Sequence, residues 1–203
     1  MKYNIGSVVA RLERRSLLEK ARRVDTPPEK RMLAITPQTA RFYHKLLSGI
    51  RAKTILELGT STGYSTLWFA DAMLQHTKNP KIITIEGNPV KVKMAQANFE
   101  AAGVSDFIRI RQGQILDLLK KMPNTPRFDF VLIDADKENL IEYFDLVLPK
   151  TRIGGIIATD NVLLPRKYRR FASKYTRHIV QNRHVLTGTI PLGYGQEITI
   201  RLS

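Results

Sequence analysis

The run Thr54-Ile55-Leu56-Glu57-Leu58-Gly59-Thr60-Ser61-Thr62-Gly63-Tyr64-Ser65 narrows the folds open to this chain more than any other stretch. A short apolar run with a β-branched start breaks at Gly59. Small residues follow, and a helix begins near Gly63 and runs through Leu67, Trp68, Ala70 and Leu74. Strand, glycine turn and helix N-terminus make a place where a ligand can approach the backbone and meet the positive end of a helix. The lesser alternative is that the glycines serve only to let helix pack on strand. Two carboxylates sharpen the reading. Glu57 lies near the carboxyl end of the strand, on an apolar run where a carboxylate needs a partner. Glu86, 29 residues on, ends a second strand over Lys81-Ile82-Ile83-Thr84-Ile85-Glu86. An acid at the second strand tip is where nucleoside-binding α/β folds hold ribose hydroxyls, so the cofactor is expected to carry a ribose.

The alternation continues along the chain. Ser7 to Arg23 reads as an amphipathic helix whose apolar line is Val8, Leu12, Leu18 and Ala21, stopped by Thr26-Pro27-Pro28. Its apolar face is thin, so packing on the body or on a second subunit is expected rather than membrane binding. Thr36 is the N-cap and Pro37 the first residue of a helix to about Ser48, burying Phe42, Leu46 and Leu47. Asn88-Pro89 starts a helix ending at Gly103. Phe107 to Arg111 is a third strand, Gly113-Gln114 leads into a short helix to Lys121, and Pro123 and Pro126 mark a loop. Phe128 to Asp134 is a fourth strand, apolar enough to be central. Asn139 to Leu148 reads as helix, Gly154-Gly155 as a turn, Ile156 to Asp160 as a fifth strand, Arg166 to His178 as a basic helix, and Val185 to Ile190 and Glu197 to Leu202 as a closing antiparallel pair. Strands alternating with helices predict a parallel sheet covered on both faces. No linker divides the chain, so residues 1–203 are read as one domain: a basic helical extension over 1–31 and a core over 32–203.

The absence of cysteine excludes disulfides, thiolate metal sites and cysteine nucleophiles. No stretch reaches the ~18 apolar residues of a membrane span, and Met1 to Ala10 lack a basic start followed by a long apolar run, so no membrane association and a cytoplasmic location are expected. The net charge of +15 is unevenly placed: residues 1–31 carry +5, residues 150–203 carry +8, and the middle only +2. Basic ends suit an anionic partner such as RNA, or are simply solvated surface.

Ligands of such sheets bind beyond the carboxyl ends of the strands, where Glu57, Glu86, Asp134, Asp160 and Asn161 gather. Any one tip carboxylate could merely cap the next helix. Asp134, Asp160 and Asn161 come from adjacent strands, and two carboxylates with an amide oxygen make a hard-cation site, for magnesium or calcium before zinc. Lys137 lies on the same rim, either pairing with Asp134, Asp136 or Glu138 or serving as a base.

Three segments, Glu57 to Ser65, Phe128 to Lys137 and Gly154 to Asn161, resemble the cation-dependent O-methyltransferases, a group that includes catechol and caffeoyl-coenzyme A O-methyltransferases. The similarity runs from about Met32 to the C-terminus. It implies a class I methyltransferase fold, an α/β Rossmann-like seven-stranded, mostly parallel sheet with an antiparallel C-terminal strand, and S-adenosylmethionine as cofactor. By position, the turn from Gly59 to Gly63 would cradle the methionine end, with Ser61 and Ser65 near its carboxylate and Tyr64 beside them. Glu57 would face the amino group, Glu86 with Gly87 the ribose, and Gly113-Gln114 the adenine, while Ile35 and Thr36 close over the methionine end. Asp134, Asp160 and Asn161 match the family's metal ligands, Asp134 also bordering the cofactor, and Lys137 matches its catalytic lysine. The cation would be magnesium, with calcium or manganese as alternatives, and a homodimer is expected.

Two segments depart from the pattern. Val162-Leu163-Leu164-Pro165 leads directly into Arg166-Lys167-Tyr168-Arg169-Arg170, and Gly193-Tyr194-Gly195-Gln196-Glu197 stands where the family has Gly-Asp-Gly. The leading expectation is methyl transfer to a small-molecule acceptor with adjacent, catechol-like oxygens. A second keeps the chemistry and makes the acceptor a carboxymethoxy-modified wobble uridine of tRNA, held by the basic ends. A non-catalytic nucleoside-binding module stands behind both. An NAD oxidoreductase is disfavoured, since the turn lacks Gly-x-Gly-x-x-Gly.

Overall fold

Alternating strands and helices build one seven-stranded sheet in the computed structural model, which describes residues 3–125 and 127–203. Pro126, one of the two loop markers, lies outside the described residues, as do Met1 and Lys2 of the N-terminal reading. In chain order the elements are α1 (Ile5–Lys20), α2 (Pro37–Gly49), β1 (Thr54–Leu58), α3 (Tyr64–Leu74), β2 (Lys81–Glu86), α4 (Pro89–Ala102), β3 (Ile108–Gln112), α5 (Ile115–Lys120), β4 (Phe128–Ile133), α6 (Leu140–Val147), β5 (Thr151–Asp160), α7 (Arg169–Val180), β6 (Val185–Ile190) and β7 (Gln196–Arg201). The strand order is β3-β2-β1-β4-β5-β7-β6. β7 runs antiparallel to its neighbours β5 and β6, and the remaining pairs are parallel. The order reverses between β1 and β4, so a crevice opens at their carboxyl ends.

Side-chain alternation along the central strands divides the core in two. Phe130 and Leu132 of β4 join Ile55 of β1 on the face covered by α1, α2, α3 and α4. Val131 and Ile133 join Leu56 and Leu58 on the face covered by α5, α6 and α7. Strands buried on both faces read as unbroken apolar runs, which is why β1 and β4 stand out in the sequence.

The helix starts follow local chemistry. Thr36 Oγ1 accepts from the Thr39 amide with Pro37 in the first turn. Asn88 Oδ1 accepts from the Val90 amide at the start of α4, which ends on a left-handed Gly103. α1 packs on the body through Ile5, Val8, Val9 and Leu12. The expected apolar line is right in its first half only: Leu18 is half-buried and Ala21 exposed. In α2, Tyr43 and Leu47 take the core positions, and Phe42 and Leu46 are half-buried. No helix among the described residues is long and apolar enough to cross a membrane.

One boundary changes materially. Gly154-Gly155, expected as a turn before β5, lies inside it, where the register against β4 shifts between Phe128 and Phe130. A Cβ on Gly155 would stand 2.8 Å from the Arg152 carbonyl oxygen, so the pair marks a bulge. The basic helix begins as a 3-10 turn at Arg166–Tyr168 before α7.

Candidate active site

The crevice is built around the turn after β1. Gly59 and Thr60 donate their amides to the Ile85 carbonyl at 3.0 and 3.2 Å, and the Asp134 amide donates to Leu58 at 2.9 Å. The three strand tips are thereby locked together. A Cβ on Gly59 would lie 2.1 Å from the Asp134 carbonyl oxygen, and its φ of +98° suits glycine, so no other residue fits there. Ser61 continues the turn at φ 48° and donates its amide to Glu86 Oε2 at 2.8 Å, while the Asn88 amide donates to Glu86 Oε1 at 2.9 Å. Both oxygens of Glu86 are thus oriented by backbone, and each keeps a lone pair for a ligand.

A cavity of about 580 Å³ lies over these tips. Gly59, Ser61, Glu86, Gly87, Gly113 and Gln114 line one side. Asp134, Lys137, Asp160 and Asn161 line the other. The remaining expected residues do not line it. Ile35 is a core residue, and Thr36 is occupied as the cap of α2. Gly63 caps α3 against Phe99, and Tyr64 is buried with its hydroxyl donating to Glu13 at 2.6 Å. Ser65 donates to Glu57 Oε1 at 2.5 Å.

Glu57 lies deeper than its place near a strand tip suggested. Its position on β1 turns it onto the α3 face rather than out at the tip, and it is fully buried. Thr66 and Thr84 hydroxyls donate to its other oxygen at 2.5 and 2.7 Å. Burial raises its carboxyl to about 7, against the lowering by those three hydroxyls. It braces the floor of the turn through these three bonds.

On the other side, burial pushes Asp134 and Asp160 upward, and the Asp160 charge raises Asp134 further, eased by Lys137. Lys137 is buried, its Nζ 3.8 Å from Asp134 Oδ1 and without a hydrogen-bond partner among the described residues. Asp136, an alternative partner, is taken by Asn139 at 2.6 Å and by the Tyr143 hydroxyl. Two buried carboxylates, the charge of one raising the other, with an amide beside them, suit a hard cation. An amine buried without a hydrogen-bonding partner suits a ligand that meets it. Among the described residues there is no cluster of three or more His, Cys, Asp or Glu, so such a cation would depend on the Asn161 oxygen and on ligand oxygens.

The sequence reading missed several lining residues. Leu33 and Ala34 line the cavity beside Ser61, the Leu33 amide donating to Ser61 Oγ at 3.2 Å. Tyr143, Tyr168 and Tyr194 border the acidic side. Tyr168 and Tyr194 fall in the two segments that depart from the family pattern, a signal that could have marked them.

A model of the O-methyltransferase family matches residues 9–188. The chain belongs to that family. The match begins inside α1, so the resemblance extends further toward the N-terminus than the motifs suggested. Catechol O-methyltransferases from Niastella koreensis and Mycobacterium tuberculosis are 38% identical over 133 residues and 35% identical over 131 residues. Each match covers 64% of this chain, and the chain spans 59% and 58% of those proteins. Among solved structures, the O-methyltransferase from Bacillus cereus in complex with SAH has a TM-score of 0.80 at 25% identity, covering 96% of this chain and 90% of that one. TomG of Streptomyces achromogenes, in complex with SAM, has a TM-score of 0.76 at 26% identity, covering 84% and 82%. The seven-stranded sheet is therefore that of the class I methyltransferases.

Proposed function

We propose that this O-methyltransferase-family chain transfers a methyl group from S-adenosylmethionine to a hydroxyl of a small acceptor with two adjacent oxygens, with a divalent cation, magnesium first, at Asp134, Asp160 and Asn161. The observation that carries the reading is the buried Lys137 amine on the wall it shares with those three residues. S-adenosylmethionine would supply an electrophilic methyl group, and a cation held by Asp134, Asp160 and Asn161 would supply Lewis acidity that makes an acceptor hydroxyl easier to deprotonate.

The chain's own groups then have separate tasks. Glu86, oriented by two backbone amides, receives ribose hydroxyls. The bare backbone at Gly59 and Gly113 admits the cofactor closely. Lys137 Nζ is the atom placed to take the acceptor's proton. Tyr168 and Tyr194 wall the acceptor side. Holding the oxygen and the methyl group in line is where such a site gains most.

The test is transfer of labelled methyl from S-adenosylmethionine to a catechol panel and to bulk tRNA, each with and without chelator. Chelator-sensitive labelling of catechols is expected. Labelling of tRNA alone would replace the small acceptor with RNA. Labelling undiminished by chelator would remove the cation, and labelling of neither would undo the acceptor class.

A further inference from the structure

The acidic wall of the cavity is braced from behind by a buried amide. Asp160 of β5 and Gln196 of β7 are directly opposed across the antiparallel ladder, which brings their side chains to the same face. Both are buried, at 2% and 0% exposure. Gln196 Nε2 donates to Asp160 Oδ1 and also to the Leu192 carbonyl oxygen at 3.3 Å. Its Oε1 accepts from the Tyr43 hydroxyl. Tyr43 comes from α2, fully buried, with its ring edge-on to Phe130 at 5.4 Å and to Phe69 at 6.3 Å.

This network has one satisfactory orientation. With the amide flipped, Oε1 would face a carboxylate oxygen, acceptor against acceptor, and Nε2 would face the tyrosine. The Tyr43 hydroxyl, donating to Oε1, holds the NH2 toward Asp160. The same NH2 reaches Leu192, in the loop whose Tyr194 borders the cavity. α2 through Tyr43 and the 191–195 loop through Leu192 thus converge on the Gln196 amide of β7, which in turn donates to Asp160.

We infer that Gln196 is a positioning residue for the cation site, holding the Asp160 carboxylate in a single orientation, with Tyr43 setting the amide. The inference rests on the reading of Asp160 as a cation ligand. Partners of this kind, behind a ligating side chain, fix its direction and so its affinity for metal. Gln196 does not line the cavity, and it reaches the cation site through Asp160.

The experiment uses Mn2+ as probe, with the full chain and the variants Gln196→Met, which keeps the bulk, and Tyr43→Phe, which keeps the ring. Mn2+ binding is titrated by electron paramagnetic resonance, and S-adenosylmethionine binding by calorimetry. The Mn2+ Kd is expected to rise about 10- to 100-fold in Gln196→Met and by less in Tyr43→Phe. The double variant should be no weaker than Gln196→Met alone, because the two residues act in series. Affinity for S-adenosylmethionine should stay at the wild-type value. In turnover, the Mn2+ concentration for half-activation should rise while kcat is regained at saturating Mn2+. A merely structural loss would instead lower kcat at every Mn2+ concentration, and that result overturns the inference. So does a wild-type Mn2+ Kd in both variants. No Mn2+ binding by the wild type would take down the cation reading itself, a failure distinct from that of Gln196. Should Gln196→Met not fold, Tyr43→Phe, which removes one oxygen atom, decides the matter by the same readouts.

Discussion

Lys137 and Glu57 show how differently two buried charged groups can be treated. The Lys137 amine lies against the cavity with only a 3.8 Å ion pair to Asp134. A buried amine so poorly paired costs stability unless a ligand uses it. Lys137→Ala should cut turnover roughly 10²- to 10⁴-fold, the range for a lost general base, while cofactor affinity holds; single-turnover kinetics near the wild-type rate would make it a structural lysine. Glu57 has three hydroxyl donors and does not line the cavity. Its carboxyl titrates near 4.5 as a free group and near 7 in the fold, so between those values the folded state holds the extra proton. Its contribution to stability is therefore fully present below about pH 4.5 and falls as pH rises through 7, by at most about 3 kcal/mol. Glu57→Gln removes that titration. The stability of the variant relative to wild type should shift in its favour between pH 5 and pH 8, read by urea denaturation at both. A difference independent of pH would show that Glu57 keeps its ordinary acidity.

Among the elements, α1 tests whether the basic extension is part of the body. Leu12 is buried against the main core and Leu17 is 67% exposed on the same helix. Leu12→Ala should destabilise by about 2–4 kcal/mol, the cost of truncating a packed leucine, and Leu17→Ala by less than about 0.5. Equal effects in thermal unfolding would mean that the outer face is covered by something else in solution. The elements also show what the sequence could carry. β1, β2 and β4 were legible because both of their faces are buried, which leaves an apolar run whatever lies on either side. The Gly59 turn and the tips at Glu86, Asp134 and Asp160 were legible because they carry polar residues where a strand must end. Which way Glu57 points was not, since one step along a strand reverses the face and β1 has a helix waiting on each. Gly154-Gly155 was read as a turn because a glycine pair in a bulge has the same composition as one in a loop. The Tyr43–Gln196–Asp160 network was invisible, because it joins residues 153 and 36 positions apart that only the sheet order brings together.

At the scale of the whole molecule, the charge distribution is the feature that local packing leaves unbalanced. The chain carries +15, and its densest run is Arg166, Lys167, Arg169, Arg170, Lys174 and Arg177, with no acidic residue between Asn161 and Gln196. None of these six forms an ion pair with a carboxylate among the described residues. Arg169 and Arg170 also occupy the first turn of α7, where the helix dipole disfavours positive charge. Repulsion of this kind acts over the Debye length, about 30 Å at 0.01 M salt and 8 Å at 0.15 M, so added salt should relieve it. Relief of about 1 kcal/mol in a chain of this size corresponds to a Tm rise of roughly 2–4 °C, expected between 20 and 300 mM NaCl by differential scanning fluorimetry. Arg169→Glu removes one positive charge and places a negative one at the helix N-terminus. It should raise Tm at low salt by an amount corresponding to about 0.3–1 kcal/mol and shrink the salt increment. A Tm that stays flat or falls with salt would mean that the positive surface is already compensated, and the self-repulsion assigned to α7 would have to be abandoned.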